Sequence, residues 1–158
     1  MVTRGAVLGV MVLCLCGVGW GQVVDLAKPF EVDKHTLSLY HLDDVKTGEV
    51  KDAVEGGKAG RVVEATESEG KFGAAMGADG TRGWVDFEEL PRVQNLAAVT
   101  VECWVKFKEF PRGDIVTRNS SYMMRVNGTV QAYISVDGKW RIVRGVKPLR
   151  ERQWTHLA

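Results

Sequence analysis

Residues 99–107 alternate strictly between apolar and polar side chains, and this stretch restricts the possible folds more than any other. One side of the alternation carries Val99, Val101, Cys103, Val105 and Phe107. The other side carries Thr100, Glu102, Trp104 and Lys106. A period of two in β-branched and aromatic residues is typical of a strand with one buried face. We therefore predict that this segment is the central strand of a β-sheet core.

The last third of the chain predicts a β-meander. Three apolar-rich segments, residues 121–126, 129–136 and 139–143, are separated by Asn127-Gly128 and Asp137-Gly138. These dipeptides between alternating segments are strong hairpin signals. Short strands at near-regular spacing, with no convincing helix, indicate an all-β sandwich or barrel.

The form of the two turns determines which side chains of this meander share a face. Two tight two-residue turns place one group of side chains on a single face: Tyr122, Met124, Val126, Tyr133, Trp140 and Ile142. The opposite face then carries Met123, Val130, Ala132, Ile134 and Val136 with Arg125, Lys139 and Arg141. One added residue at either turn reverses every later side chain. We expect both faces of this sheet to be partly covered or used.

The chain before residue 99 predicts shorter strands between loops. Strands are expected at residues 36–42, 61–65, 71–76 and 84–87, and one helical turn within residues 88–95. Residues 44–60 are interpreted as a long surface loop, and residues 64–69 as a solvated acidic loop.

Residues 1–21 predict an export signal. Arg4 precedes an apolar run at residues 6–16, and Gly19-Trp20-Gly21 forms a cleavage site of the small-x-small type. The run is shorter than the roughly 20 apolar residues of a membrane span. Cleavage after Gly21 leaves Cys103 as a single cysteine, so the mature chain has no internal disulfide. The buried side of its strand favours Cys103 as a small apolar core residue rather than a nucleophile.

The charge balance excludes some partners. The chain holds 21 basic and 20 acidic residues, and loss of Arg4 makes the mature chain formally neutral. Without a basic stripe or a basic amphipathic helix, we expect neither nucleic-acid binding nor membrane insertion after signal cleavage.

Six short segments follow one another along the chain: Leu39-Tyr40-His41-Leu42-Asp43, Val50-Lys51-Asp52, Gly70-Lys71-Phe72-Gly73-Ala74-Ala75-Met76, Asp79-Gly80, residues 99–106 and Gln153-Trp154-Thr155-His156-Leu157-Ala158. In this order they resemble the LamG-like jelly-roll domains of the concanavalin A-like lectin/glucanase superfamily. The resemblance implies an antiparallel β-sandwich of the jelly-roll type. The chain is thus predicted to consist of a signal at 1–21, a linker or lead-in at 22–35 and, from the resemblance, a LamG-like domain at 36–158 that is incomplete at its C-terminus.

The sequence predicts no catalytic residue. The hydrolases of this superfamily carry Glu-x-Asp-x-x-Glu on one strand, and no such run occurs here. The histidines at 35, 41 and 156 lack partners at metal-binding spacing. Strand-end aspartates at 43, 44, 79 and 114 are typical of turns, so we assign no cofactor and leave calcium open without ligands.

Aromatic side chains on the strands are the candidate ligand-binding residues. Sugar rings stack on aromatic faces, and Trp and Tyr add a polar edge. The candidates are Trp104, Tyr133, Tyr122 and Trp140. For Trp104 and Tyr133 the alternative is that a loop or the second sheet covers the ring.

The resemblance implies a non-catalytic module that binds carbohydrate or cell-surface glycans, and the export signal predicts that it is secreted, periplasmic or at the cell surface. Its expected partner is a glycan, or a cell-surface or extracellular protein. Two alternatives stay open. One is a structural or adhesion module without a small ligand, and the other is an accessory domain of a larger secreted glycan-active enzyme.

Overall fold

The computed structural model describes residues 6–14, 25–88, 90–93 and 96–158. Its strands are β1 (Ala6–Cys14), β2 (Thr36–Tyr40), β3 (Glu49–Val50), β4 (Gly60–Val63), β5 (Thr66–Glu69), β6 (Ala74–Ala78), β7 (Trp84–Asp86), β8 (Thr100–Phe107), β9 (Arg112–Arg118), β10 (Tyr122–Asn127), β11 (Thr129–Val136), β12 (Lys139–Arg144) and β13 (Thr155–Leu157). Two 3-10 helices, Val45–Thr47 and Pro91–Val93, complete the regular structure of this part of the chain. Neither helix is long enough to cross a membrane.

The strands form three antiparallel sheets. A six-stranded sheet has the order β13-β8-β1-β6-β5, with β2 also paired to β1. A four-stranded sheet has the order β12-β11-β10-β9, and a three-stranded sheet has the order β3-β4-β7. The predicted all-β class and the antiparallel sandwich are confirmed.

The prediction that residues 99–107 form the central strand is wrong, because β1 occupies the middle of the six-stranded sheet. Strand β8 is an interior strand between β13 and β1, and it has one buried face, as its alternation predicts. Its apolar side, with Cys103, Val105 and Phe107, packs against Met124 and Val126 of the four-stranded sheet. These five side chains are buried, and together they form the core between the two larger sheets. Removal of apolar surface from water at this contact holds the two layers together.

A second core lies between the six-stranded and three-stranded sheets, and it corrects the prediction of a plain surface loop at residues 44–60. Val45 and Val50 are buried against Tyr40 and Met76. They lie in the first 3-10 helix and in β3, which are too short to show a period in the sequence. Two apolar residues among charged neighbours give too weak a pattern to be recognised.

The acidic segment at residues 64–69 also departs from the prediction of a loop. Residues Thr66–Glu69 form β5, which pairs with β6 from Thr66↔Gly77 to Glu69↔Ala74. Because β5 is the edge of its sheet, its charged side chains remain in solvent while its backbone is hydrogen-bonded. Charged edge strands also block pairing with other chains, which explains a strand without apolar residues.

Residues 6–14 of the predicted export signal form β1, inside the six-stranded sheet, and the rest of that segment, with the proposed cleavage site, lies outside the described residues. The backbone of β1 pairs with β8 over most of its length, from Ala6↔Phe107 to Cys14↔Thr100. On its other side it pairs with β2 and with β6. Residues 6–14 therefore fill an interior strand position of this sheet.

The β10–β11 turn decides the facing of the meander. Asn127 pairs with Thr129 around Gly128, so this turn does not have the two-residue form. The β11–β12 turn does have it, with Val136 paired to Lys139 and positive φ at Asp137 and Gly138. Tight turns at both positions were therefore the wrong alternative, and the regrouped facing is the observed one. The inner face carries Tyr122, Met124, Val126, Val130, Ala132, Ile134, Val136, Lys139, Arg141 and Val143, and the outer face carries Met123, Arg125, Gln131, Tyr133, Trp140, Ile142 and Arg144.

Candidate functional site

The four aromatic candidates lie in three different places. Trp104 is on the outer side of β8, and Tyr122 is on the inner face of β10, where it packs beside the second core. Only Tyr133 and Trp140 lie together, on the outer face of the four-stranded sheet. Their rings meet edge to face, with centroids 6.4 Å apart.

The Trp104 ring is covered by other residues, which is the alternative that the sequence analysis weighed against ligand stacking. Its side chain is 6% exposed and packs with Phe30 and Phe72. The Lys71 ammonium lies 4.3 Å from the centre of its ring, which adds a cation–π contact. The segment before β2, interpreted as a linker or lead-in, thus contributes Phe30 to the packing on β8. In this structure, Trp104 offers no open ring face to a ligand.

His156 belongs to the same cluster of side chains around Trp104. Its Nε2 lies 3.0 Å from Glu102 Oε2, and both side chains are largely shielded from solvent. The imidazole also lies against the rings of Trp104 and Phe30. This arrangement holds β13 to β8 through side chains as well as through the Trp104↔His156 backbone pairing. It agrees with a structural role for His156.

Cys103 is a core residue in the structure. Its sulfur lies 4.0 Å from the Met124 sulfur across the two sheets. Burial raises the pKa of the Cys103 thiol to about 12, with a smaller contribution from the nearby Glu102 carboxylate. Because the thiolate is the nucleophile, the thiol has no nucleophilic form at neutral pH.

The outer face of the four-stranded sheet carries a cleft of about 480 Å³, which we call the outer cleft. Its lining consists of Arg112, Gly113, Asp114, Arg125, Val126, Asn127, Gln131, Tyr133 and Arg144. Three guanidinium groups and one carboxylate therefore surround the space. Trp140 stands beside it through its contact with Tyr133 and is 44% exposed.

Arg125 of the outer cleft is held in place by Asp114. Two of its nitrogens donate to the two oxygens of Asp114, in a forked ion pair whose Nη2–Oδ2 distance is 2.9 Å. This hydrogen bonding raises the pKa of Arg125 further above its usual value, so the group stays charged. The guanidinium also lies 5.9 Å from the centre of the Tyr133 ring. The Tyr133 hydroxyl donates to Gln131 Oε1 at 2.8 Å, which orients the amide.

Sequence reasoning missed the polar residues of the outer cleft. Arg125 pairs with Gln131, and Gln131 pairs with Arg144, so the three form one row across β10, β11 and β12. The row exists only in the observed register. The alternation of each strand shows which of its residues share a face. The form of the turns must also be known before residues of neighbouring strands can be paired across the sheet.

The strand-end aspartates act in turns and ion pairs. Asp43 Oδ1 accepts from the Ala74 amide at 2.7 Å, and Asp44 Oδ2 accepts from the Lys51 amide at 3.1 Å. Asp79 Oδ1 accepts from Thr81 and Arg82 amides, which lowers the pKa of Asp79. Within the described ranges, no three His, Cys, Asp or Glu side chains converge as a metal site would require.

Comparison with known proteins gives one match. The laminin G family model described as concanavalin A-like lectin/glucanases superfamily matches residues 79–158, which is half of the chain. The match includes β8, the four-stranded sheet and β13, whereas the resembling segments at 39–43 and 70–76 lie before it. No curated protein and no solved structure matches the chain. The predicted family is thereby confirmed, and the chain belongs to the concanavalin A-like lectin/glucanase superfamily.

Proposed function

We propose that this chain is an exported, non-catalytic module that binds carbohydrate in the outer cleft. The observation that carries the proposal is the pairing of an exposed aromatic edge with oriented polar groups. Trp140 and Tyr133 supply apolar ring surface, and Gln131, Arg125 and Arg144 supply hydrogen bonds. Such a combination suits a sugar, which has apolar C–H faces and many hydroxyl groups.

The charge of the outer cleft favours acidic sugars. Arg112, Arg125 and Arg144 line it, and Asp114 supplies the one carboxylate among its described lining residues. Because Asp114 is bound to Arg125, the cleft carries an excess of positive charge. Guanidinium groups bind carboxylate and sulfate oxygens through paired hydrogen bonds. We therefore expect oligosaccharides with uronic acid or sulfate groups to bind better than neutral ones.

The same lining supports a non-catalytic role. Glycoside hydrolysis by the common mechanisms needs two carboxyl groups, one on each side of the scissile bond. The described lining of the outer cleft offers Asp114 alone, and that carboxylate is held by Arg125. We expect no release of reducing sugar from any oligosaccharide that the protein binds.

A glycan array with matched arginine variants tests the binding site. Arg144 and Arg141 both lie on β12 and are both exposed, but Arg144 pairs with Gln131 on the outer face and Arg141 with Ile134 on the inner face. Arg144→Gln should weaken binding of acidic oligosaccharides by about tenfold or more, because a hydrogen bond to a charged group is lost. Arg141→Gln should leave it unchanged.

Two results would contradict this assignment. If no oligosaccharide binds above background, the carbohydrate proposal fails. If Arg141→Gln and Arg144→Gln weaken binding equally, the outer cleft is not the site. Trp140→Ala provides an independent check, since loss of ring stacking should weaken the binding of neutral and acidic sugars alike.

A second candidate function is adhesion to a protein partner. The inner face of β11 and β12 exposes Ile134, Val136 and Val143, a group of apolar side chains typical of a protein contact. Two results together would favour this alternative: no glycan binds on the array, and Val143→Lys abolishes binding of a protein partner.

Export is the remaining part of the proposal, and residues 1–21 support it. Protein recovered from outside the cytoplasm should begin at Gln22 when its N-terminus is sequenced. An N-terminus at Met1 on exported protein would contradict cleavage.

A further inference from the structure

Residues 6–14 have two roles that exclude each other in the exported protein. As part of the leader they are removed, but in the structure they form β1 in the interior of the six-stranded sheet. We propose that the position of β1 becomes a strand-acceptor slot after export, which takes an extended apolar strand from a partner polypeptide. The inference rests on the proposed cleavage after Gly21.

The slot has hydrogen-bonding strands on both sides. β8 pairs along one side, from Ala6↔Phe107 to Cys14↔Thr100. On the other side, β2 pairs with residues 11–14 and β6 pairs with residues 6–8. Removal of β1 therefore leaves the backbone groups of three strands without partners. Unpaired buried backbone groups and open strand edges are both costly, which favours refilling.

The gap is too wide to close through direct pairing in place. Neighbouring strands lie about 4.8 Å apart, so loss of the strand between them leaves β8 about 10 Å from β2 and β6. Backbone hydrogen bonds need about 3 Å between nitrogen and oxygen. Closure would also shift β8 relative to Met124 and Val126, which lock it to the four-stranded sheet. An inserted strand satisfies the same groups without moving the core.

The side chains beside the slot define what it accepts. Cys103 and Tyr40 are the pairing partners of position 11, and Val105 and Met76 are the partners of position 8. All four belong to the buried cores of the sandwich. An occupant must therefore present apolar residues at these two positions, because a charge there would be buried without a partner.

The occupant is accordingly an uncharged, extended segment about as long as β1, which has 9 residues. It runs antiparallel to β8, as β1 does. Proline is excluded from its interior because both of its edges donate to a ladder. This mode of recognition is strand addition, in which main-chain hydrogen bonds provide affinity and alternate side chains provide specificity.

The test begins with the full chain, purified with its leader and carrying a protease site at residues 17–21. Cleavage in solution leaves β1 held only by non-covalent contacts. A fluorescent peptide of sequence Ala-Val-Leu-Gly-Val-Met-Val-Leu-Cys, residues 6–14, is then added in excess. We expect it to exchange into the protein and co-elute with it. Hydrogen exchange should show β8 and β2 amides protected only while a strand is bound.

The control is the same peptide with Leu8→Lys and Met11→Lys, the positions that pair with Val105 and Cys103. It should bind at least about a hundredfold more weakly. Equal binding of both peptides would overturn the proposal, because binding would not depend on the buried positions. The proposal also fails if the cleaved protein loses β1 and keeps unchanged amide protection and a single unfolding transition.

The mass of exported protein separates this inference from the export proposal. If exported protein retains residues 1–21, the proposed cleavage and the acceptor slot are both refuted, because β1 then fills its own position. If exported protein begins at Gln22 but the cleaved full chain takes up no peptide, export stands and only the acceptor slot is refuted.

Discussion

At the scale of single residues, Cys103 shows how burial determines chemistry. Its strand position predicts an apolar role, and the raised pKa to about 12 adds the physical reason that it is unreactive. The unfolded chain has an ordinary thiol, which ionises near pH 9. Between these two values the unfolded state releases a proton that the folded state retains, so rising pH favours unfolding.

We predict that the free energy of unfolding falls as the pH rises above about 9. The Cys103 contribution to this slope is at most about 1.4 kcal/mol per pH unit. Tyr40 acts in the same direction above pH 10, because burial raises its pKa to about 12. Urea denaturation from pH 7 to pH 11 should show a shallower fall for Cys103→Ala than for the wild type. Identical slopes would mean that the thiol is accessible in the folded protein.

The turn before β6 requires a glycine at position 73. Its φ is +72°, and an added Cβ would meet the Asp43 carboxyl that accepts from the Ala74 amide. Gly73→Ala should lower the free energy of unfolding by about 1–3 kcal/mol, through backbone strain and loss of this hydrogen bond. Gly138 has a similar φ of +69° with no atom within 4 Å of its Cβ position. Gly138→Ala is thus the matched control, and urea denaturation should show a smaller loss for it.

At the scale of elements, the β10–β11 hairpin determines where the candidate site lies. The observed turn puts Tyr133 and Trp140 on the outer face with Arg125, whereas a two-residue turn would have put them on the face of Met124. Since side chains alternate along a strand, one residue in one turn moves the aromatic pair from the inner face of the sheet to its outer face.

Two neighbouring methionines of β10 test this facing. Met124 is buried against Cys103, whereas Met123 pairs with Tyr133 on the outer face. Met124→Ala should lower the free energy of unfolding by about 2–5 kcal/mol, the range for truncation in a well-packed core. Met123→Ala should cost less than about half of that. Equal losses, measured by thermal and urea denaturation, would contradict the assigned faces.

At the scale of the whole molecule, the two sheets do not cover each other completely. The contact between them is made by β8 with β9 and β10, and the inner face of β11–β12 extends past it. Val143 on that face is 72% exposed. Exposed apolar side chains next to one another promote association, because burial of their surface is favourable.

We predict that Val143→Lys reduces self-association of the protein, as measured by sedimentation velocity at several concentrations. Val146→Lys is the control, since Val146 is 95% exposed but lies outside the sheet. Both variants add one positive charge, so a general effect of charge would change them equally. An equal change would show that the inner face is not the surface through which the molecules associate.

The sequence by itself determined the fold class, the family and the buried face of residues 99–107. Alternation in β8 and the hairpin dipeptides are local patterns, and the backbone geometry of strands and turns makes local patterns informative. Cys103 could be placed in the core for the same reason.

Only the tertiary structure decided which candidates share a site. The burial of Trp104 depends on Phe30 and Phe72, residues far from it in the chain. The row of Arg125, Gln131 and Arg144 depends on the register of two hairpins. The place of β1 depends on its pairing with β8 on one side and with β2 and β6 on the other. Each of these is a contact between distant residues, and the free energy that selects it is not encoded in any one stretch of sequence.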